Sequence, residues 1–397
     1  MNSKKIIPEG WKKIRLKEVL NEVSERNKDE NIKRVLSVTN SQGFVNQAEY
    51  FEGTVHSNNI SNYKIIRKNQ FAYNPSRVNV GSIDILKDYD VGVLSPMYVI
   101  FETDRKRLLP EYFKYYFQTH RFFEDVNNNT QGSVRNSLSF KALADFEYLL
   151  PPIEEQKKML IFLNIIEKII KENINRRIQK EEFKKYYLNI IFNNKKLQYE
   201  KKMLQEILEF HNGINTSSEK YGSGIKYISV IDILNNMYIN YDNIKGLVDI
   251  SEEIQKNYKV AYGDVVFVRS SENLIDAGKS NVYLDKEREA VFGGFVIRGK
   301  KKGEYNPLYL KYALETYGVR KQIMKYAAGN QHINIGQEAL KKINIPYINM
   351  KYQDIISKFF ISIDKEIQII NKTVYEYEKL KKGLMQKLLT GKVRVKI

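Results

Sequence analysis

Two stretches of this chain carry apolar residues at steps of three and four. In the second stretch these are Ile356, Phe359, Ile363, Ile367, Ile370, Val374, Tyr377, Leu380, Leu384 and Leu388. That spacing predicts a helix with one apolar stripe, the seam of a coiled coil. The first stretch starts alike with Met159, Phe162, Ile166 and Ile170, shifts to Ile174 and Ile178, and recovers at Phe183, Tyr187 and Ile191. Pro151-Pro152 followed by Glu154-Glu155 predicts its start, since proline and acidic residues suit a first helical turn. Asn193-Asn194 and Gly391 are plausible stops. Neither helix can hide its seam on a small domain of its own. The two are therefore expected to pair antiparallel through Phe162, Ile166, Ile170, Phe359, Ile363, Ile367, Val374, Leu380 and Leu384. About 37 residues at the α-helical rise make a rod of roughly 55 Å. Such a rod staples two domains together, and a sharper reading makes it a ruler between two surfaces.

Elsewhere the pattern is of short β-type runs between turn residues. Val35–Val38, Phe71–Tyr73 and Met97–Phe101 come before the first long helix; Ile228–Ile231, Val265–Val268 and Phe295–Ile297 come before the second. One helix is expected after Pro110 and another after Pro307. Those two segments coincide at an offset of 197, which pairs Pro110/Pro307, Tyr112/Tyr309, Lys114/Lys311, Tyr115/Tyr312 and Thr119/Thr316. Without a gap the same offset continues through Gly132/Gly329, Gln156/Gln353, Phe162/Phe359, Ile166/Ile363 and Lys184-Lys185/Lys381-Lys382. Chance does not hold one register for that long, so the chain is a repeat. The fold class is α+β: two similar domains over 1–150 and 198–349, each followed by a long helix, over 151–197 and 350–397. The scaffolding runs match between copies, while Asn40–Asn59 has little in common with Asp232–Val248. One fold carrying two different binding surfaces gives that pattern.

Composition narrows the chemistry. The 65 Lys and Arg against 47 Asp and Glu give a net charge of +18, which attracts polyanions, nucleic acid foremost. An AT-rich genome, a membrane or an acidic partner would explain part of that balance. With no cysteine, disulfides, thiolate metal sites and a cysteine nucleophile are excluded. His56, His120, His211 and His332 have no metal-site spacing, so neither a metal nor a cofactor is expected. No apolar run is long enough to span a membrane, and nothing after Met1-Asn2-Ser3-Lys4-Lys5 has the apolar core of a signal peptide; a cytoplasmic protein is expected. The 28 tyrosines and 19 phenylalanines fall in alternating and helical patterns, and most read as core. Two short motifs fail on inspection. Tyr73-Asn74-Pro75-Ser76 lacks the second proline and the aromatic of an amino-methyltransferase motif. Ala277-Gly278-Lys279-Ser280 has Asn273 where a phosphate-binding loop requires its first glycine.

Three further runs carry a family resemblance. IPEGWKKIRLKEV (Ile7–Val19) is similar to the proline–glycine–tryptophan entry of target-recognition domains in type I restriction–modification specificity subunits. GSVRNSLSFKALADFEYLLPPIEEQ (Gly132–Gln156) resembles that family's run into its central helix. LKKGLMQKLLTGKVRV (Leu380–Val395) is similarly characteristic. The resemblance covers essentially the whole chain, with one departure. INIPYINMKYQ (Ile343–Gln353) keeps only the glutamine of the first copy's double proline and EEQ, so helix entry there is expected to differ slightly.

The resemblance implies a non-catalytic subunit whose two target-recognition domains each read one half of a bipartite site in double-stranded DNA. It also implies two methyltransferase subunits docked on the long helices, with restriction–translocase subunits joining for cleavage. Candidate DNA-binding residues of the first domain are Arg67, Lys68, Asn74, Arg77 and Asn79 near the strand 71–73, and Gln131, Ser133, Arg135 and Asn136 in a polar loop. In the second domain they are Arg269, Ser270, Ser271, Asn273 and Lys279, with Asn330, Gln331 and His332 in the corresponding loop. Arg can bind guanine, and Asn or Gln adenine, through two hydrogen bonds; capping and solvation compete for every such polar side chain. Two other classes stay open: a stand-alone nuclease or modification enzyme with its own recognition domains, and a nucleic-acid-binding protein without a methyltransferase partner.

Overall fold

Each copy is organised by a four-stranded antiparallel sheet with the same strand order. In the first copy the order is Leu20–Val23, Val99–Thr103, Phe71–Tyr73, Ile83–Ile85. In the second it is Leu208–Asn212, Val296–Lys301, Val265–Val268, Ser280–Val282. This computed structural model describes residues 7–50, 57, 59–130, 137–329 and 331–395. The chain divides into two units, one of Met1–Glu172 with Val374–Ile397, the other of Asn173–Thr373.

Both faces of each sheet are covered, so its central strands are apolar throughout rather than alternating. In the first unit Phe71, Tyr73 and Phe101 enter an aromatic core with Tyr112, Phe113 and Phe117, while Ala72 and Ile100 pack on the other side against Leu36 and Ile66. In the second, Val265, Phe267 and Ile297 face Leu310 and Leu340, and Val266 and Val268 face Tyr283 and Phe292. Among the described residues most phenylalanines are buried, as their patterns predict, but only a minority of the tyrosines are.

A two-stranded pair closes each copy. Lys12–Arg15 pairs antiparallel with Glu147–Leu150, and Glu200–Met203 with Asn344–Tyr347. The closing strand runs straight into a long helix, Ile153–Phe192 in one case and Met350–Leu389 in the other, each 40 residues long. The surviving glutamine explains why the second entry works without the double proline. Gln156 accepts from Leu109 N at 2.9 Å and donates to Pro151 O at 2.9 Å. Gln353 accepts from Asn306 N at 2.9 Å and donates to Ile348 O at 2.7 Å. The glutamine and both of its partners are shifted by the same 197 positions.

Within each unit, part of one long helix packs on part of the other. In the second unit Arg177 meets Asn371, Lys180 meets Glu366 and Lys184 meets Asp364. One number rises as the other falls, so the helices run antiparallel. Leu188, Phe192, Ile356, Phe360 and Ile363 share a core there. In the first unit Met159, Leu163, Met385 and Leu388 share another, and Ile166 is buried. Ile170, Phe359, Ile367, Val374 and Leu384 are half-buried. Phe162 and Leu380, expected in the seam, are 49% and 53% exposed; the stripe passes through their neighbours Leu163 and Lys381 instead. A helix turns 3.6 residues per turn, so a stripe read at a strict 3.5 drifts off the covered face.

Candidate nucleic-acid interface

In the first copy a structured loop leaves the strand Phe71–Tyr73. Asn74 Oδ1 accepts from Ser76 N at 3.1 Å, and Arg77 N donates to Asn74 O at 3.0 Å. The base of the loop is closed by Asn74 N to Ser82 O and Ser82 N to Arg77 O, both 3.1 Å. Val78 anchors it, being almost wholly buried, and Gly81 ends its short 3-10 turn at φ +94°, a conformation that favours glycine. Ser76, Arg77 and Asn79 are left exposed on a fixed backbone. Leu138 N donates to Pro75 O at 3.0 Å, which ties the far side of the polar loop to this one. Gln131, Ser133, Arg135 and Asn136 lie outside the described residues, as does Asn330.

Arg67 and Lys68 stand apart from that group. They precede the strand Phe71–Tyr73, whereas Asn74, Arg77 and Asn79 follow it, so the strand puts them at its opposite end. Arg67 forks onto Glu25, with Nη2 to Oε1 at 3.0 Å, and Lys68 pairs with Asp90 at 3.0 Å. Both cations already hold carboxylates.

The second copy joins its candidates more directly. Ser270–Ser271 forms a two-residue antiparallel pair with Ile333–Asn334, and Ile335 N donates to Arg269 O at 2.9 Å. The Ser270 hydroxyl also donates to the Asn334 side-chain oxygen. This pairing carries exposed Gln331 and His332 to the edge that holds Arg269. Arg269 Nη1 donates to Gly294 O at 3.3 Å, and its backbone N to Phe295 O at 2.8 Å. Phe295 therefore projects beside Arg269 from a tight turn closed by Val296 N to Gly293 O at 2.8 Å, and it is largely exposed. Asn273 and Lys279 act inside their own loop. Asn273 Nδ2 and Lys279 Nζ both donate to Asp276, at 2.8 and 2.6 Å, and the Lys279 ammonium, with Asn273, holds that carboxyl below its usual range.

The edge can thus offer an arginine fork, hydroxyls, amides and an aromatic ring, the repertoire for reading base edges and phosphates. Sequence reading missed Asn334, Ser76 and Phe295. Asn334 is two places from a named histidine, and only the pairing with Ser270 reveals its position. Among the described residues no group of three or more His, Asp or Glu could hold a metal ion, and no helix is long and apolar enough to cross a membrane.

The domain family described as the type I restriction modification DNA specificity domain matches residues 8–180. A relative from Methanocaldococcus jannaschii, provisionally assigned as the specificity subunit of the MjaX type I restriction enzyme, is 25% identical across 98% of this chain and 95% of its own. Over most of its length the chain is similar to type I restriction–modification specificity subunits. The MjaVIII specificity subunit of the same organism is also 25% identical, over 80% of this chain and 77% of its own. Among solved structures, the type I restriction–modification S subunit from M. genitalium superposes with a TM-score of 0.56 at 14% identity, covering 98% of both chains. A chain from work on the assembly and conformational transition of the type I R-M system reaches 0.60 at 14% identity, over 98% of this chain and all of that one. At that identity the likeness concerns the fold.

Proposed function

We propose that this chain is a specificity subunit that reads a bipartite site in double-stranded DNA, one half-site per copy, and carries no reaction centre of its own. The observation behind this reading is the duplicated placement of polar loops. In each copy the chain leaving the strand Phe71–Tyr73 or Val265–Val268 hydrogen-bonds to the segment that follows the second polar loop. Asn74, Arg77 and Asn79 form the reading surface of the first copy, and the sequence candidates Gln131, Ser133, Arg135 and Asn136, outside the described residues, are assigned to the same task. Arg269, Ser270, Ser271, Gln331 and His332 form that of the second, with Asn330 in its loop. The +18 charge supplies phosphate contacts and most of the affinity, and the loops supply specificity.

The long helices set the spacer between the half-sites and dock two methyltransferase subunits, with restriction–translocase subunits joining that complex. An uncovered apolar strip supports the docking role: Ile161, Phe162 and Ile165 in the first unit and Phe183, Tyr186 and Ile190 in the second are all exposed. The test is purification of the chain with a co-expressed methyltransferase subunit, followed by a mobility-shift assay on a library of duplexes. Stable co-purification and selection of a two-part motif support the reading. A chain that neither retains the methyltransferase nor prefers any duplex overturns it.

A further inference from the structure

Each unit contains a cluster of charge built from the same four positions. In the second unit Lys311 and Tyr312, on the helix Pro307–Glu315, meet Asp364 of the second long helix and Lys184 of the first. Lys184 Nζ lies 2.9 Å from Asp364 Oδ1 and 2.8 Å from Glu315 Oε2. Tyr312 Oη donates to Asp364 Oδ2 at 2.8 Å, and Lys311 pairs with Glu315 while lying 3.8 Å from Asp364. In the first unit Lys114 and Tyr115 meet Glu167 of the first long helix and Lys381 of the second. Lys381 Nζ is 2.8 Å from Glu167 Oε1, and Lys114 Nζ is 3.8 Å from Oε2. The two ammonium groups sit over the tyrosine ring in both cases, at 5.1 and 5.6 Å from Tyr115 and at 4.8 and 5.1 Å from Tyr312.

Every member is displaced from its counterpart by 197: Lys114/Lys311, Tyr115/Tyr312, Glu167/Asp364, Lys184/Lys381. In each cluster three members come from one copy, and the closing lysine comes from the other copy's long helix.

Such an arrangement is costly as a source of stability. Ion pairs in poorly solvated surroundings recover little more than their desolvation, and apolar residues of similar size often do better. Lys311 and Asp364 keep only 7% and 11% of their side chains exposed. The rest of the stripe, rich in isoleucine, leucine and phenylalanine, would pack acceptably in neighbouring registers, whereas a slip of one heptad would leave these charges buried and unpaired. A polar group in a helical seam selects register in this way.

We infer that Lys184 and Lys381 are positioning residues that lock the two long helices into one register, and that this register fixes the spacer length the subunit accepts. The spacer clause rests on the proposed DNA-reading function; the register clause does not. The chain has no cysteine, so nitroxide labels can be placed cleanly at Arg176→Cys and Lys372→Cys, both exposed in the second unit. A single narrow label–label distance is expected in the otherwise unaltered full chain. Lys184→Met keeps the side-chain stem, removes the charge, and should add a second population displaced along the helix axis by about 10 Å, one heptad of helical rise. Lys184→Arg should restore the single population. In the complex with its methyltransferase, Lys184→Met should reduce the preference for the native spacer over one base pair longer or shorter by about tenfold, leaving half-site sequence preference unchanged.

One unshifted distance in Lys184→Met, or an unaltered spacer preference beside a shifted distance, overturns the corresponding clause. A shifted distance together with no bipartite binding by the unaltered complex would uphold the lock and sink the DNA reading. Should Lys184→Met fail to fold, Lys381→Met with labels at Lys168→Cys and Leu380→Cys applies the same test in the more solvated first cluster.

Discussion

Arg394 grips Glu155 across 239 positions of sequence, with Nε to Oε1 at 3.0 Å and Nη2 to Oε2 at 2.8 Å. Trp11 Nε1 donates to the same carboxylate at 2.8 Å, and Glu155 has no exposed surface. The three runs that carry the family resemblance therefore converge on one buried carboxylate. Beside it Gly391 adopts φ +69°, and a Cβ there would come within 2.3 Å of Pro8 Cγ.

Removing the arginine should be costly because the carboxylate stays behind. Arg394→Met is expected to destabilise the first unit, by less than the usual cost of orphaning a buried charge because the arginine itself is solvated. Gly391→Ala should also destabilise, by at least about 1 kcal/mol from the left-handed backbone alone. Denaturant midpoints measure both. An unchanged midpoint for either variant would show that the convergence carries no energy.

The repeat was legible because loops absorbed the divergence and the packed positions did not. Lys184-Lys185 over Lys381-Lys382 was visible as a match, yet nothing in the sequence said that these lysines close clusters built by the opposite copy. The apolar pattern points to Phe162 and Leu380, yet both are exposed and Leu163 and Lys381 occupy the covered face, because an apolar side chain is no guarantee of burial and a lysine stem can lie in a seam. Arg67 and Lys68 are close in sequence to Asn74 and Arg77, although roughly 10 Å of strand separates them. Ser270 and Asn334 are joined by pairing over 64 residues, which no local pattern encodes.

That separation makes a discriminating prediction. Arg77→Ala and Arg269→Ala should each weaken binding to the cognate duplex by roughly tenfold or more, the usual value of a good arginine–base contact, without lowering the unfolding temperature. Arg67→Ala, whose guanidinium is committed to Glu25, should change affinity by less than about threefold. Mobility shifts at fixed salt compare the three. Equal losses at Arg67 and Arg77 would mean that the DNA surface spans both ends of the strand.

The second charge cluster predicts an acid transition. Burial would raise the Glu315 carboxyl, but Lys311 and Lys184 beside it hold it down to about 2, against 4.5 for an ordinary glutamate. The same carboxylates keep the Lys184 ammonium above its ordinary range despite burial. Between pH 4.5 and 2 the unfolded chain binds the Glu315 proton and the folded chain does not, so the stabilisation is whole above 4.5 and is lost as pH falls towards 2. Thermal unfolding followed over that window should fall more steeply for the unaltered chain than for Glu315→Gln. Parallel curves would mean that the cluster does not hold this carboxylate ionised.

In the proposed function, two copies of one fold read two separated half-sites for an enzyme supplied by a partner. Mapping methylated positions by single-molecule sequencing, in cells expressing the chain, a methyltransferase subunit, or both, tests it most directly. Modification is expected only when both are present, at a motif of two short sequences separated by a fixed gap. Modification by the chain alone, or a single uninterrupted motif, would contradict it.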